Sequence, residues 1–388
     1  MKVVYIADIG IEGGATKSLV ELVDTMKKEN GVEPIVLTSG YNRLNELLNA
    51  DGIENHAVGH GAFLQGAPDA VWKKPIKWGL FAAYYYLHYH SSIRKALRLI
   101  DWKSVDLIHT NVARDDLGME ISRRTGVPNL CHIREFAELD FNCWSYRPHY
   151  VKYIAQNTDG FIAISEAVKR YWITKGIPEN KIEVIYNGVD CQKIKPADHR
   201  KWAEDPTVKM VIVGGVIPNK GQYQAIEALC MLPERIRPYF RLDVIGGITE
   251  TYKLKLSEPL KKCGIENQVR FLGACNDVYD RLKDYHIGLM CSKAEGFGRV
   301  TVEYMHAGLV VIASDTGANL ELIQDQTTGL IYHRDDVKTL TQKLVYVWEH
   351  KDKIAEIADR GKKESEKYTK EKNAREIFAQ YRKMKEWK

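Results

Sequence analysis

Two carboxylates, Glu295 and Glu303, stand eight positions apart and bracket Gly296-Phe297-Gly298-Arg299-Val300-Thr301. Gly296 and Gly298 allow positive φ and close approach of the backbone to a ligand. Apolar periodicity resumes at Arg299 or Val300, so a helix is expected to open there with its unpaired N–H groups directed at the turn. Such an end attracts anions, a diphosphate among them. With one acid before the helix and another one turn inside it, the layout suits a nucleotide-sugar. Its phosphates would sit at the helix end, and its sugar and ribose hydroxyls at the two carboxylates. The plainer alternative is a solvated Glu303 and a Glu295 that only favours the helix N-terminus.

Other residues could join this chemistry. Lys220 follows Ile217-Pro218-Asn219 between an expected strand and an expected helix, where a Lys acts as a point charge for diphosphate. Gly13-Gly14 follows the first expected strand and opens a helix. It resembles a phosphate turn but lacks the G-x-G-x-x-G spacing of a nicotinamide site, and an ordinary tight turn is the alternative. His132, in Cys131-His132-Ile133-Arg134-Glu135, ends another strand, where a neutral imidazole suits a sugar hydroxyl. Arg134 and Glu135 orient it, meet an acceptor, or pair with each other. Asn187-Gly188 reads as a tight turn, either a hinge or a ligand contact. Ser165-Glu166 reads as a helix N-terminus and not as a nucleophile. Asp115-Asp116 lacks the strand context of a metal-binding Asp-x-Asp, so no metal site is expected.

These residues need a scaffold, and the hydrophobic pattern supplies one. Short apolar runs alternate with helical periodicity: Lys2–Ala7, Pro34–Thr38, Val105–His109, Asn129–Ile133 and Gly160–Ile164 read as strands. The rhythm restarts at Lys209–Val213, followed by a helix over Gln222–Cys230 and strands at Arg241–Ile245, Val269–Phe271, Ile287–Met290 and Val310–Ala313. This is an α/β chain with two doubly wound parallel-sheet domains, and ligands in such sheets bind beyond the carboxyl ends of the strands. The expected division is an acceptor-side domain over 1–190, a donor domain over 191–370, and a C-terminal helix over 371–388 packing back on the first. Lys193–Pro206, rich in Lys, Pro and Asp, reads as the linker. The Lys- and Glu-rich tail from Lys351 reads as exposed helix.

The chain has 388 residues, with 45% hydrophobic and 28% charged, the proportions of a globular protein of more than one domain. Seven cysteines, widely spaced and odd in number, argue against a disulfide framework and for a reducing cytoplasm. No signal peptide or spanning helix is expected. Between Asp69 and Lys103, seven basic residues (Lys73, Lys74, Lys77, Arg94, Lys95, Arg98, Lys103) face two acids, so this window carries the chain's whole formal excess of +5. It also holds Trp72, Trp78 and Tyr84-Tyr85-Tyr86. Basic and aromatic residues so interleaved suit an anionic membrane surface, with Trp72, Trp78, Lys73, Lys74 and Lys77 as candidate contacts. The alternative is a core helix with solvated basic ends.

Five ordered segments resemble a known family, the retaining two-domain glycosyltransferases of family 4, which have the GT-B fold. They are Gly13-Gly14; Val184-Ile185-Tyr186-Asn187-Gly188-Val189-Asp190; Val213-Gly214-Gly215 leading to Lys220-Gly221; the Glu295 to Glu303 block; and Val311-Ile312-Ala313-Ser314-Asp315-Thr316-Gly317 with Glu321. The resemblance implies two Rossmann-like domains facing a cleft and transfer of a hexose from a nucleotide diphosphate sugar, UDP-linked by preference. It implies a lipid-linked or cell-surface polysaccharide acceptor and a peripheral place on the inner membrane face. No cofactor, no metal and no nucleic-acid partner are expected. Glu295 would then hold the transferred sugar and Glu303 the ribose, while Lys220 neutralises the diphosphate. Gly13, Gly14, Gly215, Gly296, Phe297, Gly298, Val300 and Thr301 would line the donor, and His132 would face its sugar. The family often has Arg where this chain has Gly215, and Arg299 is expected to replace it. A small soluble acceptor, or sugar-nucleotide binding without catalysis, remains the rival function.

Overall fold

The computed structural model describes residues 1–7, 13–66, 74–141, 143–197 and 206–386. They form two compact units, Met1–Gly188 with Lys370–Lys388, and Val189–Thr369.

The first unit holds β1 (Lys2–Ile6), β2 (Glu33–Thr38), β3 (Glu54–Ala57), β4 (Leu64–Gly66), β5 (Leu107–Thr110), β6 (Asn129–Ile133), β7 (Cys143–Ser145), β8 (Gly160–Ala163) and β9 (Ile182–Val184). Seven of them make one parallel sheet in the order β3-β2-β1-β5-β6-β8-β9, and β4 and β7 pair antiparallel. The central strand β1 is apolar from Val3 to Ile6 because both faces of a central parallel strand are covered. Thus Val3, Val4, Tyr5 and Ile6 of β1 are all buried. The helix Lys370–Glu386 belongs to this unit and packs on the helix Gly14–Asn30. Ile377 and Tyr381 are fully buried, so this part of the tail is a core element and not the exposed helix its composition suggested. Its polar outer face dominates the composition, while a narrow stripe does the packing.

The second unit holds β10 (Val208–Val213), β11 (Phe240–Ile245), β12 (Val269–Gly273), β13 (Ile287–Met290), β14 (Val310–Ser314) and β15 (Leu330–Tyr332), all parallel, in the order β12-β11-β10-β13-β14-β15. In both sheets the chain winds one way and then reverses, between β1 and β5 in the first and between β10 and β13 in the second. Such a reversal leaves a crevice at the carboxyl ends of the two central strands, where doubly wound sheets bind ligands. Of the linker expected over 193–206, residues 198–205 lie outside the described residues, and Ala197 N–H donates to Ala307 O within the second unit.

One expectation is overturned by packing. Cys230 ends the helix Gln222–Cys230, Cys263 ends the helix Glu250–Cys263, and the two form a disulfide with Cα atoms 5.8 Å apart. Sequence spacing could not show this, because the pairing depends on how two helices on one sheet face meet.

Candidate active site

In the second unit, the loops after β10, β13 and β14 converge at the reversal point. Gly221, at φ 72°, lets the loop after β10 turn into its helix; a Cβ there would lie 2.0 Å from Cys291 O. The loop's Lys220 Nζ thereby reaches Glu295 Oε2 at 3.0 Å. Glu295 is held from its other side by backbone: its carbonyl accepts from Ala318 N–H at 3.0 Å. Gly317, at φ 52°, has no room for a side chain, since a Cβ would stand 2.0 Å from Glu295 O.

The helix expected after the glycine turn runs Arg299–His306, with Gly298 at φ 85° as its N-cap residue. Thr301, at its start, is buried and donates to Asn319 Oδ1 at 3.0 Å, so its side chain secures the turn. Phe297 is also buried, packed edge-on to Tyr368 with centroids 5.8 Å apart. These two residues, like Gly296, Gly298 and Val300, can offer a ligand backbone groups at the opening of the helix. The Glu303 side chain is only 6% exposed, which excludes the solvated alternative. Its Oε1 accepts from Tyr279 O–H at 2.9 Å and lies 3.9 Å from Arg299, itself 9% exposed. Gly215 faces open space and its carbonyl accepts from Gln222. The site therefore alternates acid and base, with Glu295 and Lys220 on one side of the turn and Glu303 and Arg299 on the other.

In the first unit, the corresponding ends of β5 and β6 carry a buried polar cluster. Arg134 donates through Nε to Asn111 O and Oδ1 at 3.1 and 2.9 Å, and through Nη1 to Asn187 Oδ1 at 2.7 Å. Its Nη2 lies 3.1 Å from His132 Nδ1. A guanidinium only donates, so Nδ1 accepts and the His132 proton sits on Nε2. His132 is fully buried, and burial first, then Arg134 and His109, push its pKa well below the usual value, so the ring is neutral. Among the described residues its Nε2 has no hydrogen-bond partner, which leaves a buried donor. His109 packs edge-on to it at 5.3 Å and bonds Tyr381 O–H at 2.7 Å. Glu135 Oε1 lies 3.9 Å from Arg114 Nε. Gly13 sits at the N-terminus of the helix Gly14–Asn30 with no atom of the described residues within 4 Å of a built Cβ, and residues 8–12 before it lie outside the described residues.

Two family models tile the chain: the description "Glycosyltransferase Family 4" matches residues 12–193 and "Glycosyl transferases group 1" matches residues 194–364. The chain belongs to this glycosyltransferase family. The lipopolysaccharide core biosynthesis mannosyltransferase LpsB of Rhizobium meliloti is 27% identical over 256 residues, 62% of this chain and 71% of the relative. The GDP-mannose:cellobiosyl-diphosphopolyprenol α-mannosyltransferase of Xanthomonas oryzae is 27% identical over 180 residues, 45% and 46% of the two chains. Among solved structures, Anabaena HepE in complex with UDP-glucose superposes with a TM-score of 0.77 at 20% identity, covering 98% of this chain and 99% of that one. That likeness establishes the GT-B fold.

Two further features of this glycosyltransferase bear on its site. Asp115 and Asp116 are buried, Asp115 beside His60 at 2.7 Å and Asp116 bonded to Tyr85 and Arg147, so both carboxylates are committed within the first unit. Among the described residues, no three His, Cys, Asp or Glu side chains come together as a metal site. Of the residues expected at a membrane, Trp72 and Lys73 lie outside the described residues, and the helix Lys74–Leu99 contains Lys74, Lys77 and Trp78. Trp78 is 43% exposed and packs on Tyr146 at 5.8 Å. Tyr279, Tyr381 and Asn111 were not singled out in the sequence, since only folding brings them to Glu303, His109 and Arg134.

Proposed function

We propose that the enzyme transfers a hexose-type sugar from a nucleotide diphosphate sugar to a lipid-linked or growing cell-surface polysaccharide acceptor at the inner membrane face. The observation that carries this reading is the paired arrangement of Lys220 with Glu295 and Arg299 with Glu303 around the Gly298 turn. Lys220 and Arg299 would neutralise the departing diphosphate, with the helix N–H groups adding to them, and no metal would be required. Glu295 would hold hydroxyls of the transferred sugar, and Glu303 those of the ribose.

The tautomer of His132 bears on the mechanism. With Nδ1 accepting from Arg134 and the proton on Nε2, neutral His132 has no lone pair to take the acceptor's proton. The family resemblance implies front-face displacement with retention of anomeric configuration, in which the leaving phosphate oxygen would take that proton. His132 would serve as a donor to the sugar.

UDP-sugar is the favoured donor, as in the HepE complex, and GDP-mannose is the second reading because a partial relative uses it by name. A thermal-shift panel of UDP- and GDP-sugars decides between them, since a true donor stabilises the fold by mass action. Stabilisation by neither class, with no donor hydrolysis or transfer, would sink the proposal. Donor stabilisation without turnover on any lipid-linked acceptor would favour a binding protein or a soluble acceptor.

A further inference from the structure

The helix Lys74–Leu99 carries two apolar stripes, where covering a core requires one. Tyr85, Ile93 and Ala96 face the first unit and are buried, and Tyr85 O–H bonds Asp116 at 2.5 Å. The second stripe runs along Ile76, Leu80, Tyr84 and Leu87, at helical spacings of four, four and three. These side chains are exposed by 61%, 69%, 47% and 77%. Isolated exposed apolar residues are ordinary, but a continuous row of large ones marks an interaction surface. Beyond Leu87 the outer face changes character to Arg94, Lys95 and Arg98, all exposed.

We propose that this outer stripe docks on an anionic lipid bilayer, with Ile76, Leu80 and Leu87 among the acyl chains and Arg94, Lys95 and Arg98 on the phosphate headgroups. Charge selects this occupant. From Lys74 to Leu99 the helix has no Asp or Glu at all, so the formal charge it presents is entirely cationic. A second copy of the chain would set one all-cationic helix against another. An anionic bilayer meets both halves of the stripe, and Tyr84 and Tyr86, 47% and 54% exposed, have the amphipathic rings that settle at the boundary. The placement is tilted, deeper at the Ile76 end. It extends the membrane reading above from a basic patch to an inserted apolar edge, and its test does not depend on donor binding.

The full-length enzyme is floated with vesicles of phosphatidylcholine alone or mixed with phosphatidylglycerol. Flotation with the mixed vesicles, weakened by added salt, is expected. The paired change Leu80→Ser and Leu87→Ser should lower partition about tenfold for each side chain removed, with an unchanged melting temperature because both sites are exposed. Changing Arg94, Lys95 and Arg98 to Gln should abolish the preference for anionic vesicles. No flotation, or flotation indifferent to the Leu pair, overturns the proposal. So does sedimentation showing a dimer that the Leu pair dissociates while vesicles are ignored; that result assigns the stripe to self-association.

Discussion

Lys220 Nζ lies 3.0 Å from Glu295 Oε2, joining two loops separated by 75 positions of sequence. The pair is partly exposed, 35% at Lys220 and 13% at Glu295, so it contributes about 1 kcal/mol or less to stability. Lys220→Ala should therefore melt close to the wild type, yet lose about a hundredfold or more in transfer rate if the Lys stabilises the departing diphosphate. Thermal melts and initial rates on one preparation test this. A large fall in melting temperature with normal turnover would make Lys220 structural.

Tyr279 donates to the carboxylate that is assigned to the ribose, so Tyr279→Phe should leave Glu303 less well held. A hydrogen bond to a charged group contributes about 1.5–3 kcal/mol, which corresponds to a rise of roughly ten- to a hundredfold in the donor KM with little change in kcat. Steady-state kinetics with varied donor separates the two constants. A fall in kcat at constant KM would place Tyr279 in the chemical step instead.

Gly317 is a steric requirement. Its φ of 52° and the 2.0 Å approach of a built Cβ to Glu295 O predict that Gly317→Ala displaces the Glu295 backbone. A residue forced into such a conformation costs about 1–3 kcal/mol, before the clash is counted. Loss of stability together with loss of activity is expected from urea melts and rate assays. Wild-type activity in the Ala variant would show that Glu295 need not stay where it is.

Acid should weaken the first unit. Burial, with the Arg134 charge adding to it, lowers the His109 pKa to about 3, and His132 lies well below its usual value for the same leading reason. Unfolded, both titrate near ~6.5. Below that pH the unfolded chain binds more protons than the folded one, so stability falls as pH drops, by about 1.4 kcal/mol per pH unit for each His. Asp116 opposes them: burial raises its carboxyl to about 6, so it favours the folded state as pH falls from about 6 towards ~4. Urea melts at stepped pH should show a net loss on acidification that is shallower in His109→Gln. Parallel curves for the two proteins would count against a neutral buried His109.

Much of this arrangement was legible before folding. The strands at Asn129–Ile133 and Ile287–Met290 lie where the apolar runs placed them, because central parallel strands are buried on both faces. The helix start at Arg299 followed from the glycine that precedes it. The edge strand β3, Glu-Asn-His-Ala, gave no such signal, since its half-exposed residues need not be apolar. The double nature of the helix Lys74–Leu99 was also hidden. Its sequence allowed either an aromatic core face or a surface patch, and the fold uses both, burying Tyr85 and exposing Tyr84 and Tyr86. Contacts between distant positions, such as Tyr279 with Glu303, leave no trace in local periodicity.

The first unit is closed by the helix Lys370–Glu386, whose Tyr381 is fully buried and bonds His109 across 272 positions. During synthesis, the intervening residues 189–369 leave the ribosome whole and can complete their own sheet first. The core around Tyr5 and His109 is complete only once the helix Lys370–Glu386 has been made. A ribosome that stops short of residue 370 thus releases a finished second unit and an unfinished first one, with Tyr5 and His109 lacking their cover. Completion of the first unit's core thus depends on residues made after those of the second unit.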